Sequence, residues 1–248
     1  MRAAGGFSSV LRDSVASRPE LTLQVESREG RHRLPFTLRR VVCGGYASRD
    51  RAEVERHLKE LERLGIPRPQ EIPIFFSVSS YLATTGDVAE VQGSFTSGEV
   101  EFVLLFGPGG PWVTVGSDQT DRFFERHSVP VSKQLCPKIV ADTVWPVAEV
   151  EEHWDELVLR AWVRTGRKRR LYQETALGAM LAPGGLLPGL RRHAGRELAG
   201  VLLFSGTVPT LDGELIYGDA YELELADPRL GRNIRTQYTV HVLESPKR

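Results

Sequence analysis

The spacing of apolar and polar positions changes character along the chain, and each regime predicts different elements. Residues 21–27 (LTLQVES) alternate apolar and polar side chains, and residues 34–42 (LPFTLRRVV) follow as a second β-rich run. The two read as strands joined at Glu29-Gly30. Val54, Leu58, Leu61 and Leu64 then fall at helical spacing, with Asp50 placed to cap the helix and Gly65 and Pro67 to end it. From Ile72 onward the chain becomes short β-rich pieces between Gly, Pro and Asp turns, such as IPIFFSVSSYLATTGD and LVLRAWVRTGRKRRLYQ. One helical stretch, TALGAMLAPGGLLPGLRRHAG, interrupts them. Strands with a few segregated helices predict an α+β fold, divided into an N-terminal αβ region (1–71) and a larger core (72–248). No Gly-x-Gly-x-x-Gly follows a strand, no phosphate-binding loop is present, and no internal repeat is evident.

Within the core, GEVEFVLLFGPGGPWVTVGSDQTDR (98–122) carries the candidate chemistry. The apolar run Glu101 to Phe106 is too short for a typical helix and reads as a strand. Side chains on a strand repeat every second residue, so Glu99 and Glu101 share a face. The turn Gly107-Pro108-Gly109-Gly110-Pro111 can fold Trp112 to Gly116 back antiparallel, which returns Asp118 to the neighbourhood of the two glutamates. Glu-x-Glu is also the pattern of a solvated strand face, with Asp118 in an ordinary turn. If the three carboxylates do converge, they repel one another unless a cation joins them, so the arrangement predicts a divalent metal site of oxygen ligands.

Composition adds boundaries. The chain of 248 residues is 41% hydrophobic and 26% charged, as in an ordinary globular protein. Lys plus Arg and Asp plus Glu are both 32, and zero net charge argues against a nucleic-acid partner. The basic run Arg164 to Arg170 has a glycine at its middle and apolar flanks, which suits a solvated hairpin tip. Cys43 and Cys136 are far apart and offer neither zinc spacing nor a disulfide framework. No apolar run suits a secretory signal or a bilayer span, so a cytoplasmic protein without a membrane partner is expected.

The order of motifs over residues 72–243 resembles the fumarylacetoacetate hydrolase superfamily, in an uncharacterised bacterial branch. The family's Glu-x-Glu corresponds to Glu99 and Glu101, and its Asp-x-Ser/Thr-x-Arg segment to Asp118-Gln119-Thr120-Asp121-Arg122. The lysine that follows in the family matches Lys133 first and Lys138 second, in SKQLCPK. A strand ending in glutamine before a helix resembles RLYQETALGAML, which singles out Gln173. The family's Gly-Thr-Pro turn, followed by Gly-Asp and an acidic strand, resembles Ser205-Gly206-Thr207-Val208-Pro209 and Gly218-Asp219-Ala220-Tyr221-Glu222. Departures are equally plain. Val208 interrupts the Gly-Thr-Pro turn, Ser77 stands near the place of a frequent lysine, and the water-activating His/Glu pair of hydrolytic members has no match. His57, on the amphipathic helix, and His127, in a polar loop, are assigned packing or surface roles.

The resemblance implies a mixed β-roll/β-sandwich core with a carboxylate-bound metal. Hard carboxylate oxygens select Mg²⁺ or Mn²⁺, with Ca²⁺ possible. Three monodentate ligands leave about three octahedral positions open, which suits a chelating 2-oxo acid or 1,3-dicarbonyl and a water. The reaction expected is hydrolysis of a carbon–carbon bond through a metal-stabilised enolate. Decarboxylation, hydration/dehydration or isomerisation through the same enolate is the alternative, and a non-catalytic metabolite-binding β-roll is the alternative of another class. Lys133 and Thr207 are assigned as catalytic and substrate-binding groups, Gly206 as a substrate-binding position where the backbone approaches closely, and Arg122 as a brace for the metal ligand. A homodimer is expected, with Trp154 and Trp162 offered as interface residues.

Overall fold

The computed structural model describes residues 18–63 and 68–243. Among them lie a ten-stranded sheet, a five-stranded sheet and a two-stranded ribbon. The longer helices are Arg51–Arg63 and Pro183–Ala194, so the α+β expectation holds. Among the described residues no helix is long and apolar enough to cross a membrane.

The main hydrogen-bonded path runs Gly30–Thr37, Glu20–Ser27, Thr143–Pro146, Trp112–Asp118, Val100–Phe106, Val201–Phe204, Arg40–Gly45 and Ile74–Val78. Thr37 and Arg40 are three residues apart, a reach of at most about 11 Å. Yet their strands stand first and seventh along the path. The sheet therefore curls until its ends approach, which is a β-roll. The expected strand 34–42 is thus two strands. The chain breaks at Leu38 and Arg39, where the N–H groups of Arg39 and Arg40 turn to the Gly200 carbonyl at 2.8 and 3.2 Å.

The expected boundary between 1–71 and 72–248 marks no break in this sheet. Glu20–Ser27 pairs with Thr143–Pro146, and Arg40–Gly45 lies between Val201–Phe204 and Ile74–Val78. The first helix buries Val54 and Leu58, and Asp50 Oδ1 accepts the Ala52 N–H at 2.9 Å. The Leu61 side chain and Leu64, Gly65 and Pro67 lie outside the described residues. The helix expected over 175–195 occupies Pro183–Ala194, because Thr175 and Ala176 are still paired with Leu159 and Val158 and Pro183 stands at the helix start.

Period-two alternation gives the roll two apolar faces. Val103, Leu105, Leu202 and Phe204 cluster with Leu21, Leu23, Val25 and Cys43, all from the curled sheet itself, so this face is the roll interior. Phe102, Leu104, Val201 and Leu203 point the other way, against Leu159, Ala161, Leu223 and Leu225 of the five-stranded sheet. Trp154, expected at a subunit interface, is instead buried edge-on to Phe102 at 5.1 Å. Trp162 lies beneath the Arg169 guanidinium at 4.6 Å. The basic run forms the exposed hairpin between Val158–Thr165 and Lys168–Ala176, with Arg169 paired to Glu222 at 2.7 Å.

Candidate metal centre

Strand register builds the site. Glu101 stands opposite Gly116 and Val100 opposite Ser117, and the Asp118 N–H donates to the Glu99 carbonyl at 3.1 Å. Glu99, Glu101 and Asp118 consequently sit on one face, at the end of the roll interior that continues as Val103 and Leu105. Their ligand oxygens lie within 4.8 Å of one another. Gly116, opposite Glu101, has no room for a side chain. A Cβ there would lie 2.5 Å from the Ile139 carbonyl oxygen and 2.8 Å from Val103 Cγ2.

After Asp118 the chain makes an excursion that returns three cations to the carboxylates. Thr120–Asp121 pairs with Thr96–Ser97, and Asp121 caps the short helix Arg122–Glu125 by accepting the Phe123 and Phe124 N–H groups at 2.9 and 3.0 Å. Helix Val129–Gln134 follows, and the chain re-enters the sheet with Lys138 beside Asp118. Arg122 reaches Glu99 rather than Asp118: its Nη2 is 2.9 Å from Glu99 Oε1, and its Nε donates to Ser97 Oγ at 2.7 Å. Lys133 Nζ donates to Asp118 Oδ2 at 2.5 Å and to Glu99 Oε2 at 3.2 Å. Lys138 Nζ is 3.0 Å from Asp118 Oδ1, but it donates to the carbonyls of Gln119, Lys133 and Cys136 at 2.7, 2.5 and 2.9 Å. An ammonium has three protons and the carbonyls engage them, so Asp118 Oδ1 draws chiefly charge from Lys138. Lys133 is therefore the lysine that faces the carboxylate oxygens, and Lys138 holds the elbow of the excursion.

The electrostatics are uneven across the triad. Burial raises the pKa of Asp118, but Lys133 and Lys138 outweigh it and hold the carboxyl down to about 2. Glu99 is likewise lowered against burial by Arg122 and Lys133. Glu101 goes the other way: burial and then the Asp118 charge push it well above the usual carboxylate range. Glu101 Oε2 accepts the Gly206 N–H at 2.7 Å, while Glu101 Oε1 and Asp118 Oδ1 are buried without a donor. Leaving such an oxygen unpaired costs about 1–3 kcal/mol, more when it is charged. A hard divalent cation supplies the missing partner for both, so the donor set fits Mg²⁺, Mn²⁺ or Ca²⁺.

The loop after Val201–Phe204 closes one side. Gly206, at φ +94°, presents its N–H to Glu101. Thr207 Oγ1 donates to the Val100 carbonyl at 3.0 Å and accepts from Gln173 Nε2 at 2.9 Å, so its hydroxyl proton is already committed. Gln173 also accepts the Val100 N–H at 3.1 Å and donates to the Val208 carbonyl at 2.5 Å, clasping the loop to the start of the glutamate strand. Sequence reasoning passed over a second layer. Tyr238 Oη donates to Gln119 Oε1 at 2.7 Å and lies 2.7 Å from Ser117 Oγ, and Gln119 Nε2 donates to Thr96 Oγ1 at 2.9 Å. Cys43, in the roll interior, lies within the fields of Asp118, Lys138 and Lys133; burial is the main cause that raises its thiol pKa, and it stays neutral. No local spacing signals Tyr238 or Cys43, since both arrive through long-range sheet pairing.

Residues 44–238 match the profile of a family described as a protein of unknown function, DUF2848. The chain belongs to that family. A search of curated proteins finds no match. Solved structures share the fold at low identity. Fumarylpyruvate hydrolase from Pseudomonas aeruginosa, solved with Mn²⁺ and pyruvate, is 19% identical over 91% of this chain and 98% of its own, with a TM-score of 0.55. A fumarylacetoacetate hydrolase family protein from yeast is 14% identical over 84% and 95%, with a TM-score of 0.56. A 2-keto-3-deoxyarabinonate dehydratase is 17% identical over 84% and 75%, with a TM-score of 0.55. The resemblance read from motif order thus holds at the level of fold, and this DUF2848 member has the architecture of the fumarylacetoacetate hydrolase superfamily.

Proposed function

We propose that this protein is a divalent-metal-dependent enzyme acting on a small 2-oxo acid or 1,3-dicarbonyl, cleaving a carbon–carbon bond by hydrolysis. One observation carries the reading: the buried Glu101 Oε1 has no donor and Asp118 Oδ1 has only the shared Lys138 ammonium at 3.0 Å, within a triad whose ligand atoms lie within 4.8 Å of one another. The Mn²⁺ and pyruvate bound by a protein of the same fold support it. When bound, the cation supplies Lewis acidity to the carbonyl oxygens of the substrate. Lys133 supplies positive charge. Burial pulls its pKa down, but Asp118 and Glu99 outweigh burial and keep the ammonium protonated, so it serves as a cation rather than a base. In that role it orients a substrate carboxylate or stabilises charge growing on a substrate oxygen. The Glu99 side chain retains 13% exposure and Lys133 7%, against none for Asp118, so substrate approaches on the Glu99–Lys133 side. Gly206 contributes its N–H through Glu101, and Thr207 acts as a positioning residue through its clasp with Gln173 and Val100.

A lyase outcome is the second reading, and the histidines favour it. His153 bonds Asp227 at 3.0 Å and His193 bonds Ser77 at 2.9 Å, and no hydrogen bond joins a described histidine to the triad. Hydrolysis needs a group to deprotonate water, whereas decarboxylation to an enolate needs no base for the bond that breaks. The proposal keeps a homodimer, with exposed Phe95, Phe123 and Phe124 replacing Trp154 as candidate interface residues. Chelator-stripped protein reconstituted with Mg²⁺ or Mn²⁺, assayed for metal content and then against acylpyruvates and 2-oxo acids with products read by NMR, tests the reading. Pyruvate plus a carboxylic acid identifies hydrolysis, and loss of CO₂ or water identifies a lyase. Lys133→Met is expected to lower turnover at least 100-fold with metal retained. Absence of metal binding at neutral pH would leave the non-catalytic β-roll.

A further inference from the structure

The end of the roll farthest from the carboxylates carries a second group of residues that the metal chemistry does not use. An open cavity of about 320 Å³ is lined by Arg191, Arg192 and Arg196. A second of about 360 Å³ shares Arg191 and Arg196 and is floored by Phe106, Pro111, Leu187 and Leu198. The helix Pro183–Ala194 delivers Arg191 and Arg192 in its last turn, and Gly195, at φ +90°, turns the chain so that Arg196 follows at the same rim. Arginines in a last helical turn ordinarily serve the terminal carbonyls. Here Arg40 Nη1 already donates to the Ala194 carbonyl and the Gly195 N–H to that of Arg191. Arg192 is committed to Glu71 at 2.9 Å. Glu197, also on the rim, spends Oε1 on the Ala199 N–H at 2.9 Å. Among the described residues no carboxylate pairs with Arg191 or Arg196. Their guanidiniums stand over an apolar floor, and among the described residues Glu197 is the carboxylate that shares their rim without pairing with them.

We propose that these joined cavities form a binding site for a small amphiphilic anion, an oxyanion head with a compact apolar body. Two guanidiniums offer forked donors that match a phosphate or carboxylate. The floor of Phe106, Pro111, Leu187 and Leu198 rewards an aryl or short acyl group. The site is separate from the metal centre. Phe106 and Glu101 are five residues apart on one strand, about 17 Å at the usual rise. Two antiparallel strands join the two places: Val201 pairs with Phe106 at the arginine end, and the same strands reach Gly206 and Glu101 at the other.

Calorimetric titration of the full chain in EDTA tests this, using phenyl phosphate and benzoate as amphiphiles, inorganic phosphate as the head alone and phenol as the body alone. Saturable binding of phenyl phosphate or benzoate at least tenfold tighter than either half is expected, and the two amphiphiles tell which oxyanion is preferred. R191Q/R196Q should weaken the amphiphile at least tenfold with an unchanged circular dichroism spectrum. Leu187→Ser should erase the advantage over inorganic phosphate alone. Equal affinity for phosphate and phenyl phosphate, no saturable binding, or binding untouched by R191Q/R196Q overturns the site. So does light scattering in which R191Q/R196Q changes the oligomeric state, because the face is then an interface between copies.

Discussion

At Glu101 one carboxylate oxygen takes the Gly206 N–H at 2.7 Å while the other, equally buried, has no donor, and the Asp118 charge lies beside it. Its raised pKa means that the folded, metal-free protein binds more protons than the unfolded chain, so stability falls as pH rises from the ordinary value of 4.5 through the raised one. A bound cation reverses the preference by demanding the ionised form. Mn²⁺ affinity is therefore expected to rise with pH across that window, by up to about tenfold per unit, with a proton released on binding. Calorimetry in buffers of different ionisation enthalpy checks this, and an enthalpy independent of buffer would refute it. Glu101→Gln keeps the acceptor for Gly206 and removes the charge. It should cost at least tenfold in Mn²⁺ affinity while leaving the metal-free melting temperature unchanged or higher. At this scale the sequence was informative where chemistry is local: Glu99, Glu101 and Asp118 meet because a strand repeats every two residues and a short turn returns the chain. It was less so where partners depend on the excursion 119–138. Arg122 was expected to brace a metal ligand, but that the ligand is Glu99 is decided by the short helices of the excursion.

Among the elements, the hairpin Val100–Phe106/Trp112–Asp118 is the one whose register cannot slip. A shift by one residue would turn Glu101 out of the roll and bring Phe102 into it. Gly116 marks that register, because it stands opposite Glu101 and has no room for a side chain. Its Cβ would collide with the Ile139 carbonyl, which is backbone in a neighbouring strand and cannot rotate away. Gly116→Ala is expected to destabilise by about 1–3 kcal/mol through overpacking and to weaken Mn²⁺ binding together with it. Unaltered denaturation and Mn²⁺ titration would show that the strand pair gives more freely than its packing implies. Gln173 couples a second element to the same place, and Gln173→Ala leaves the buried Val100 N–H without its acceptor and the Val208 carbonyl without its donor. About 1–3 kcal/mol of lost stability is expected for each group left unpaired, measured by urea denaturation. Strands with clean alternation were legible, and so was the turn at Gly107–Pro111. The single strand read across 34–42 was not, because Leu38 continues the apolar pattern while the backbone changes partners from Glu20–Ser27 to Val201–Phe204.

For the whole molecule, the curled sheet stands between the two apolar clusters: one fills its interior, and the other packs its outer face against the five-stranded sheet. A composition shift near Ile72 suggested an appendage followed by a core, and local pattern could suggest nothing else, since pairing between strands 100 or more residues apart leaves no trace in spacing. The pairing decides what the first 71 residues do. Leu21, Leu23, Val25, Phe36, Val41 and Cys43 fill the roll interior against Val103, Leu105, Leu202 and Phe204. Without them those four side chains lose six apolar neighbours of the interior, and Val201–Phe204 loses its neighbour on one edge. Fully burying one such side chain is worth about 1.5–3 kcal/mol, so exposing even a few of them costs an amount comparable with the net stability of a typical domain, about 5–15 kcal/mol. A fragment of residues 72–248, the expected core, should therefore fail to unfold cooperatively and should bind a hydrophobic dye, even though it retains Glu99, Glu101, Asp118 and Lys133. The full chain is expected to give one transition by calorimetry, and its Mn²⁺ stabilisation should vanish in the fragment. If the fragment melts cooperatively and still responds to Mn²⁺, the N-terminal strands are an accessory layer and the metal centre stands on 72–248 alone.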